Sequence, residues 1–94
     1  MRKEKIEMNN LNNIANVVVR EGFELKAIIR EDGDRMNPDG WYHAIVYNTK
    51  KNEYIFCTCY DIKTGSWGKG DYCRTYFSAI KAMYNYLNAW MNFE

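Results

Sequence analysis

The sequence predicts an α+β domain in the order αβββα, with a three- to four-stranded antiparallel sheet and helices packed on it. Two observations carry this prediction. Apolar residues recur at helical spacing near both ends of the chain. Between them, apolar and polar residues alternate with the period of strands, interrupted by Gly, Pro and Asp. At 94 residues, the chain is expected to form one globular domain, 1–94.

The first predicted helix spans residues 4–21, and Gly22 is expected to end it in a left-handed conformation. Its apolar face is predicted to contain Leu11, Ile14, Ala15 and Val18. The segment FELKAIIR follows, and its alternation of apolar and charged residues is typical of a half-buried strand. The apolar positions expected to share one face of this strand are Phe23, Leu25, Ala27 and Ile29.

The next two strands are predicted to form the hairpin WYHAIVYNTKKNEYIFCTCYD. If TKKN is its loop, Asn48 pairs with Glu53, and both faces of the hairpin become apolar. One face would hold the pairs Tyr47–Tyr54, Ile45–Phe56, His43–Thr58 and Trp41–Tyr60. The other would hold Val46–Ile55, Ala44–Cys57 and Tyr42–Cys59. Because smaller side chains let a helix approach a sheet closely, we expect this second face to form the core.

The first, aromatic face of the hairpin is then predicted to be an exposed contact platform. Trp and Tyr are enriched in the cores of protein interfaces, which favours a protein partner or a second copy of the chain. The alternative, in which the faces are reversed or the first helix or the loop covers the aromatic residues, also fits the pattern. The predicted partner-binding residues are Trp41, Tyr47, Tyr54, Phe56, Tyr60 and Trp67.

The segment DIKTGSWGKGDY is predicted to be a glycine-rich connector that can hold a short fourth strand, and a helix near 75–92 follows it. This helix has a narrow polar stripe and a broad apolar arc. Such a helix fits between the sheet and the first helix, or it contacts another chain through an outer arc that includes Tyr86 and Phe93. The polar stripe contains Ser78, Lys81, Asn85, Asn88 and Asn92.

The candidate catalytic and metal-binding groups do not combine into a site. Cys57 and Cys59 are two residues apart on a strand, so both sulfurs point to one face, while His43 is expected to point to the other. The same geometry separates Cys57 from His43 as a nucleophile pair. GKG lacks the spacing of a phosphate loop, and DGDRMN lacks two residues that a calcium loop requires. We therefore expect no metal, no cofactor, no catalytic residue and no enzymatic activity.

Charge and cysteine content indicate the surroundings in which the protein works. The net charge of +1 gives little long-range attraction for nucleic acid, and no apolar run approaches the length of a membrane span. The odd number of cysteines, three, and a beginning that lacks an apolar secretory signal favour the reducing cytoplasm. If nucleic acid does bind, the expected contacts are Lys50, Lys51, Lys63, Lys69 and Arg74.

Two resemblances add functional expectations. The order αβββα is similar to that of the double-stranded RNA-binding domain, which implies RNA contacts near the start of the second helix, here CRTYFSAIKAM. The Asn-, Lys-, Ile- and Tyr-rich composition, with TGSWGKGDY before a helix, resembles small accessory proteins of phages and mobile elements, including anti-CRISPR proteins. That resemblance implies direct binding that inhibits or modulates a host defence complex. A non-catalytic protein-binding function is the leading prediction, and nucleic-acid binding is the alternative.

Overall fold

The computed structural model describes residues 16–33, 35, 36, 38 and 40–91. Within them, four strands form an antiparallel sheet in which each strand pairs with its neighbours along the chain, and one C-terminal helix packs against this sheet. The α+β class is confirmed, and the short fourth strand is present. The elements are β1 (Phe23–Glu31), β2 (Trp41–Asn48), β3 (Glu53–Thr58), β4 (Lys69–Cys73) and α1 (Tyr76–Met91).

The predicted first helix lies outside the described residues over 4–15, and its last part, 16–21, is not helical. Asn16 has a φ of 62°, and the segment from Asn16 to Gly22, called here the strap, runs across the sheet. The Val18 N–H donates to the Ile62 carbonyl at 2.8 Å. Gly22 does adopt a left-handed conformation, with a φ of 89°, but it belongs to a turn that leads into β1.

The register of the hairpin β2–β3 agrees with the prediction from Asn48–Glu53 to Ala44–Cys57. The loop is held by Asn48, whose Oδ1 accepts the N–H groups of Lys50 and Lys51 at 3.0 and 3.2 Å. This side-chain bond to the following backbone is how Asn stabilises turns. The register therefore follows from local loop chemistry.

The predicted pairs beyond Ala44–Cys57 are wrong because the chain turns at Cys59, which has a φ of 53°. A left-handed residue interrupts the alternation of a strand. The Tyr60 N–H still donates to the Tyr42 carbonyl at 2.7 Å, but the Tyr60 ring packs on the opposite side of the sheet from Phe56.

Both faces of the sheet are buried, which corrects the expectation that the core has one face. The side chain of Phe56 is 1% exposed, and its face is covered by α1 through Ala79 and Met83. We call it the helix face, and its sheet residues are Ala27, Ile29, Ile45 and Phe56. The opposite strap face is covered by the strap and the connector, 59–68. Its buried residues are Ile28, Ala44, Val46, Ile55, Cys57 and Tyr60.

The helix packs on the aromatic face of the hairpin, because the small residues that allow this close approach lie on α1 and on β1 and not on the hairpin. Ala79 is fully buried on α1, and Ala27 of β1 lies in the same cluster as Phe56. Close packing requires small residues on one of the two surfaces, whichever surface that is. The argument that placed the helix on the Ala44 and Cys57 side is therefore wrong.

A β-bulge at Lys26 divides the apolar residues of β1 between the two faces. Consecutive β2 positions, Val46 and Ile45, pair with Leu25 and Ala27, so Lys26 is the extra residue. A bulge of one residue reverses the direction in which later side chains point. The predicted single face is consequently split, with Phe23 and Leu25 on the strap face and Ala27 and Ile29 on the helix face.

Helix α1 begins with a side-chain cap. The Thr75 hydroxyl accepts the Ser78 N–H at 3.0 Å, and the Thr75 carbonyl accepts the Ala79 N–H at 3.2 Å. This arrangement satisfies backbone donors that the first turn leaves without intrahelical partners. The predicted polar stripe is exposed at Ser78, Lys81, Asn85 and Asn88, and Asn92 lies outside the described residues.

Candidate functional site

Helix α1 carries an exposed aromatic surface beside its polar stripe. Phe77 is 74% exposed and Tyr84 is 58% exposed, and Tyr76 is exposed to a lesser degree. Phe77 and Tyr84 are seven residues apart, so they lie on the same side of the helix within about 20°. We call Tyr76, Phe77 and Tyr84 the helix flank. Among the 16 residues of α1, Lys81 alone is charged.

The helix flank continues onto the sheet through a row of tyrosines. The ring centroids of Tyr76 and Tyr54 are 5.7 Å apart, and those of Tyr54 and Tyr47 are 4.7 Å apart. The Nζ atom of Lys26 lies 5.9 Å from the Tyr47 ring centroid, and the Tyr47 hydroxyl donates to Asn52. Tilted aromatic pairs at these distances attract one another. The row therefore forms a connected, partly exposed aromatic surface.

The predicted contact platform is only partly at the surface. Phe56 and Tyr60 are 1% and 3% exposed, so neither side chain can form an open contact surface. Trp67 is half-buried, stacked at 6.3 Å on Tyr60 and covered at 4.6 Å by the guanidinium of Arg20. The remaining predicted residues, Trp41, Tyr47 and Tyr54, are also half-buried.

Sequence reasoning missed Phe77 and Tyr84 because an apolar residue in an amphipathic helix is expected to face the core. A signal was present in their position on the helical wheel. At 100° per residue they lie about 20° and 40° from Asn88, which belongs to the polar stripe. Aromatic residues that close to a solvent-facing position are partly exposed unless another element covers them.

The basic residues proposed for nucleic acid lie at opposite ends of the sheet. Lys50 and Lys51 are in the β2–β3 loop, and Lys51 lines the same small cavity as Arg74. Lys69 begins β4 at the other end, and Lys63 is in the connector beyond that end. The six residues of β3 separate the two groups by roughly 20 Å. The five cations therefore do not form one patch.

His43 is fully buried between the sheet and α1, where both ring nitrogens have partners. Its Nε2 lies 2.7 Å from Glu31 Oε1, and its Nδ1 accepts the Cys59 N–H at 3.2 Å. An Nδ1 that accepts a hydrogen bond is unprotonated, so the ring donates to Glu31 through Nε2. The Tyr86 ring packs edge-on against it at 4.9 Å. The histidine thus joins β1, β2 and the turn at Cys59.

The three cysteines are free thiols in different environments. Burial raises the pKa of the Cys57 thiol to about 12. The pKa of Cys73 is also raised, first by burial and then by the charges of Asp71 and Glu53. Cys59 is exposed. Because the thiolate is the reactive form, the fully buried Cys57 is protected from reaction, and the half-buried Cys73 is less reactive than an ordinary exposed thiol.

We expect iodoacetamide to modify Cys59 first, Cys73 more slowly and Cys57 only after unfolding. Peptide mass spectrometry over a time course would measure this order. The shifted pKa of Cys57 also predicts a pH dependence: between pH 9 and about 12 its thiol ionises in the unfolded chain but not in the folded one. The free energy of unfolding should therefore fall through this range, and Cys57→Ala should reduce the slope. If iodoacetamide modified Cys57 before Cys59 in the folded protein, the buried position of Cys57 and the exposed position of Cys59 would be contradicted.

The described part of the chain contains no cluster of three or more His, Cys, Asp or Glu side chains that could hold a metal ion. No helix in the described part of the chain is long and apolar enough to cross a membrane.

A comparison of the chain with protein-family models, curated proteins and solved structures gives no significant match. The class that the geometry defines is an α+β domain with a four-stranded antiparallel sheet and a helix on one face. Its most exposed aromatic side chain among the described residues is Phe77 of the helix flank, and Tyr72 of β4, which is 60% exposed, lies outside this flank.

Proposed function

We propose that the protein is a non-catalytic binding protein that docks on another protein through the helix flank. The observation that carries the proposal is the exposure of Phe77 and Tyr84, 74% and 58%, on one side of a helix with a single charge. Clustered, exposed aromatic side chains are uncommon on a monomer without a contact function.

The composition of α1 favours a protein contact. Burying a charge in an interface requires removing its hydration shell, and Lys81 is the one side chain of α1 that carries this cost. Asn88 is exposed and polar and lies about 20° from Phe77 around the helix, so it can form part of the rim around an aromatic centre. The row Tyr76, Tyr54 and Tyr47 extends that centre onto the sheet.

The resemblance to anti-CRISPR proteins names the first partners to test, which are the protein subunits of a host defence complex. A cytoplasmic location is part of the proposal, and it is supported by the free thiols of Cys57, Cys59 and Cys73. A second copy of the chain is the other protein partner that the helix flank could accept. Nucleic acid receives less support, because the five basic residues lie in two separate groups.

Photo-crosslinking tests the proposal. With p-benzoylphenylalanine at position 77, irradiation in host cells is expected to capture one abundant protein, identified by mass spectrometry. The same amino acid at position 85, exposed on the polar stripe of α1, is the matched control and should capture it weakly. The double variant Phe77→Ser, Tyr84→Ser should then weaken binding of that purified partner by at least about 30-fold, as expected for removal of interface anchors.

Three results would count against the proposal. One is equal capture from positions 77 and 85, which would show contact without a preferred surface. Another is unchanged affinity of the double variant for the captured protein, provided that its thermal melt matches the original. The third is tight, salt-sensitive binding to duplex RNA that is lost in Lys51→Gln, Arg74→Gln, which would favour the nucleic-acid alternative.

A further inference from the structure

Strand β4 is an edge of the sheet. Among the described strands, β3 is its single neighbour. Its residues Lys69, Asp71 and Tyr72 are exposed. The outer side of an edge strand presents backbone N–H and C=O groups that can pair with a strand from another chain. The edge of β4 is therefore available for pairing with a further strand.

Two opposite charges on β4 limit the strands that can pair with it. Lys69 and Asp71 are two residues apart, so both side chains point to the helix face, the face of Phe56, which pairs with Asp71. Neither side chain forms an ion pair with another described residue. Charged residues on an edge oppose pairing with strands that do not offer the opposite charge. A matching strand needs an acidic residue opposite Lys69 and a basic residue opposite Asp71.

A second copy of β4 meets this requirement in one register. When two copies pair antiparallel about a two-fold axis, directly opposite residues point to the same face, so the axis passes through a residue of β4. An axis at Gly70 places Lys69 of each copy opposite Asp71 of the other, which gives two ion pairs. An axis at Lys69 or Asp71 would place like charges opposite each other. An axis at Tyr72 would place Asp71 opposite the uncharged Cys73.

The strap face of β4 also suits a two-fold axis at Gly70. A Cβ at Gly70 would lie 3.2 Å from Cε1 of Tyr72, so the Tyr72 ring leans over this glycine. Tyr72 is 60% exposed, and diagonal neighbours across two paired strands are within reach of an aromatic side chain. An aromatic ring that covers a glycine of an edge strand stabilises the pairing. The exposed ring of Tyr72 therefore complements Gly70 of the second copy.

We propose that two copies of the chain pair through β4 in antiparallel orientation, with the two-fold axis at Gly70, which joins the two four-stranded sheets into one. The contact goes beyond the proposed function, because it is made by a strand edge and needs no other protein. Helix α1 of both copies would lie on the same face of the joined sheet, on either side of the axis. Pairing of five-residue strands buries a small surface, so we expect a weak dimer.

Sedimentation velocity over a concentration series tests the pairing. The original protein is expected to change from monomer to dimer as its concentration rises. In 15N NMR spectra of the same series, the amide signals of residues 69–73 should move, while those of Ala27 and Ile28 on β1 should stay in place. A protein that is monomeric at every concentration, or a dimer in which the β4 signals do not move, would overturn the proposal. Because the test uses the purified chain alone, either result leaves the capture of a partner from position 77 unaffected.

Exchanged charges test the register. Lys69→Asp and Asp71→Lys each place like charges opposite one another at both ion pairs, so each variant is expected to dimerise at least about tenfold more weakly than the original protein. An equimolar mixture of the two variants restores both opposite-charge pairs and should dimerise as well as the original protein. Lys50→Asp, which makes the same charge change in the β2–β3 loop, is the matched control and should leave dimerisation unchanged.

The fold of each variant is checked by its NMR spectrum. If a charge-reversed variant is not folded, the neutral variant Lys69→Gln or Asp71→Asn takes its place and should also weaken dimerisation. Full dimerisation of a folded variant of Lys69 or Asp71, or a mixture of folded Lys69→Asp and Asp71→Lys that remains monomeric, would overturn the proposal.

Discussion

The substitution Phe56→Ala is expected to lower the free energy of unfolding by about 3–5 kcal/mol, the usual cost of removing a large ring from a packed core. Phe56 is 1% exposed on the helix face, where its cluster includes Ala79 and Met83 of α1. Its ring centroid lies 5.8 Å from that of Tyr86, so the truncation also removes an aromatic pair between sheet and helix. The cavity left behind cannot close without moving α1.

The companion substitution Ile55→Ala is expected to cost about 2–5 kcal/mol, because Ile55 is equally buried on the strap face. Urea denaturation followed by circular dichroism would measure both values. The control is Asn85→Ala on the exposed side of α1, whose free energy of unfolding should stay within about 0.5 kcal/mol of the original protein. A large loss of stability in both variants, Phe56→Ala and Ile55→Ala, would show that the sheet is buried on both faces. Tolerance of Phe56→Ala would mean that α1 does not cover the aromatic face.

The second large effect is expected at His43. His43→Ala should lower the free energy of unfolding by at least about 2 kcal/mol, because it removes a fully buried ring and leaves the Cys59 N–H without its acceptor. The partner carboxylate of Glu31 also loses its hydrogen bond, although its partial exposure lets water replace the imidazole. The same urea series measures the loss.

A comparison with Glu31→Gln separates the parts of this network. The amide retains a hydrogen-bond acceptor for His43 Nε2, so a smaller loss of about 1 kcal/mol is expected. The turn at Cys59 should remain in place in Glu31→Gln and change in His43→Ala, which the amide chemical shifts of residues 59–61 would reveal. Equal stability of His43→Ala and the original protein would show that the histidine does not hold the turn.

The hairpin register could be predicted from the sequence because it depends on a local feature. Asn48 bonds to the backbone of its own loop, and the pairing from Asn48–Glu53 onward follows from that loop. The faces could not be assigned in the same way, because Ile45 and Phe56 on one side and Val46 and Ile55 on the other are all apolar. When both sides of a sheet are apolar, alternation alone does not indicate which side a helix covers.

Other errors arose where one residue changes the direction of the chain. Neither the bulge at Lys26 nor the left-handed conformation of Cys59 has a signal in the sequence, since both residues are ordinary strand or turn types. Each one moves the side chains that follow it to the other face. Residues 16–21 have a helical pattern of apolar positions, but Val17 packs against the strap face and Val18 bonds to Ile62. Tertiary contacts outweigh local helical preference there.

The order of the strands has a consequence for how the chain reaches its native state. Each strand pairs with the strand next to it in sequence, and α1 packs on β3 and β4, which immediately precede it. Pairing between strands that follow one another in sequence requires less loop-closure entropy than pairing across a long crossover connection. During synthesis, each new strand of this protein would therefore meet its pairing partner as soon as it emerges. The helix, which follows all four strands in sequence, would close over a sheet that is already assembled.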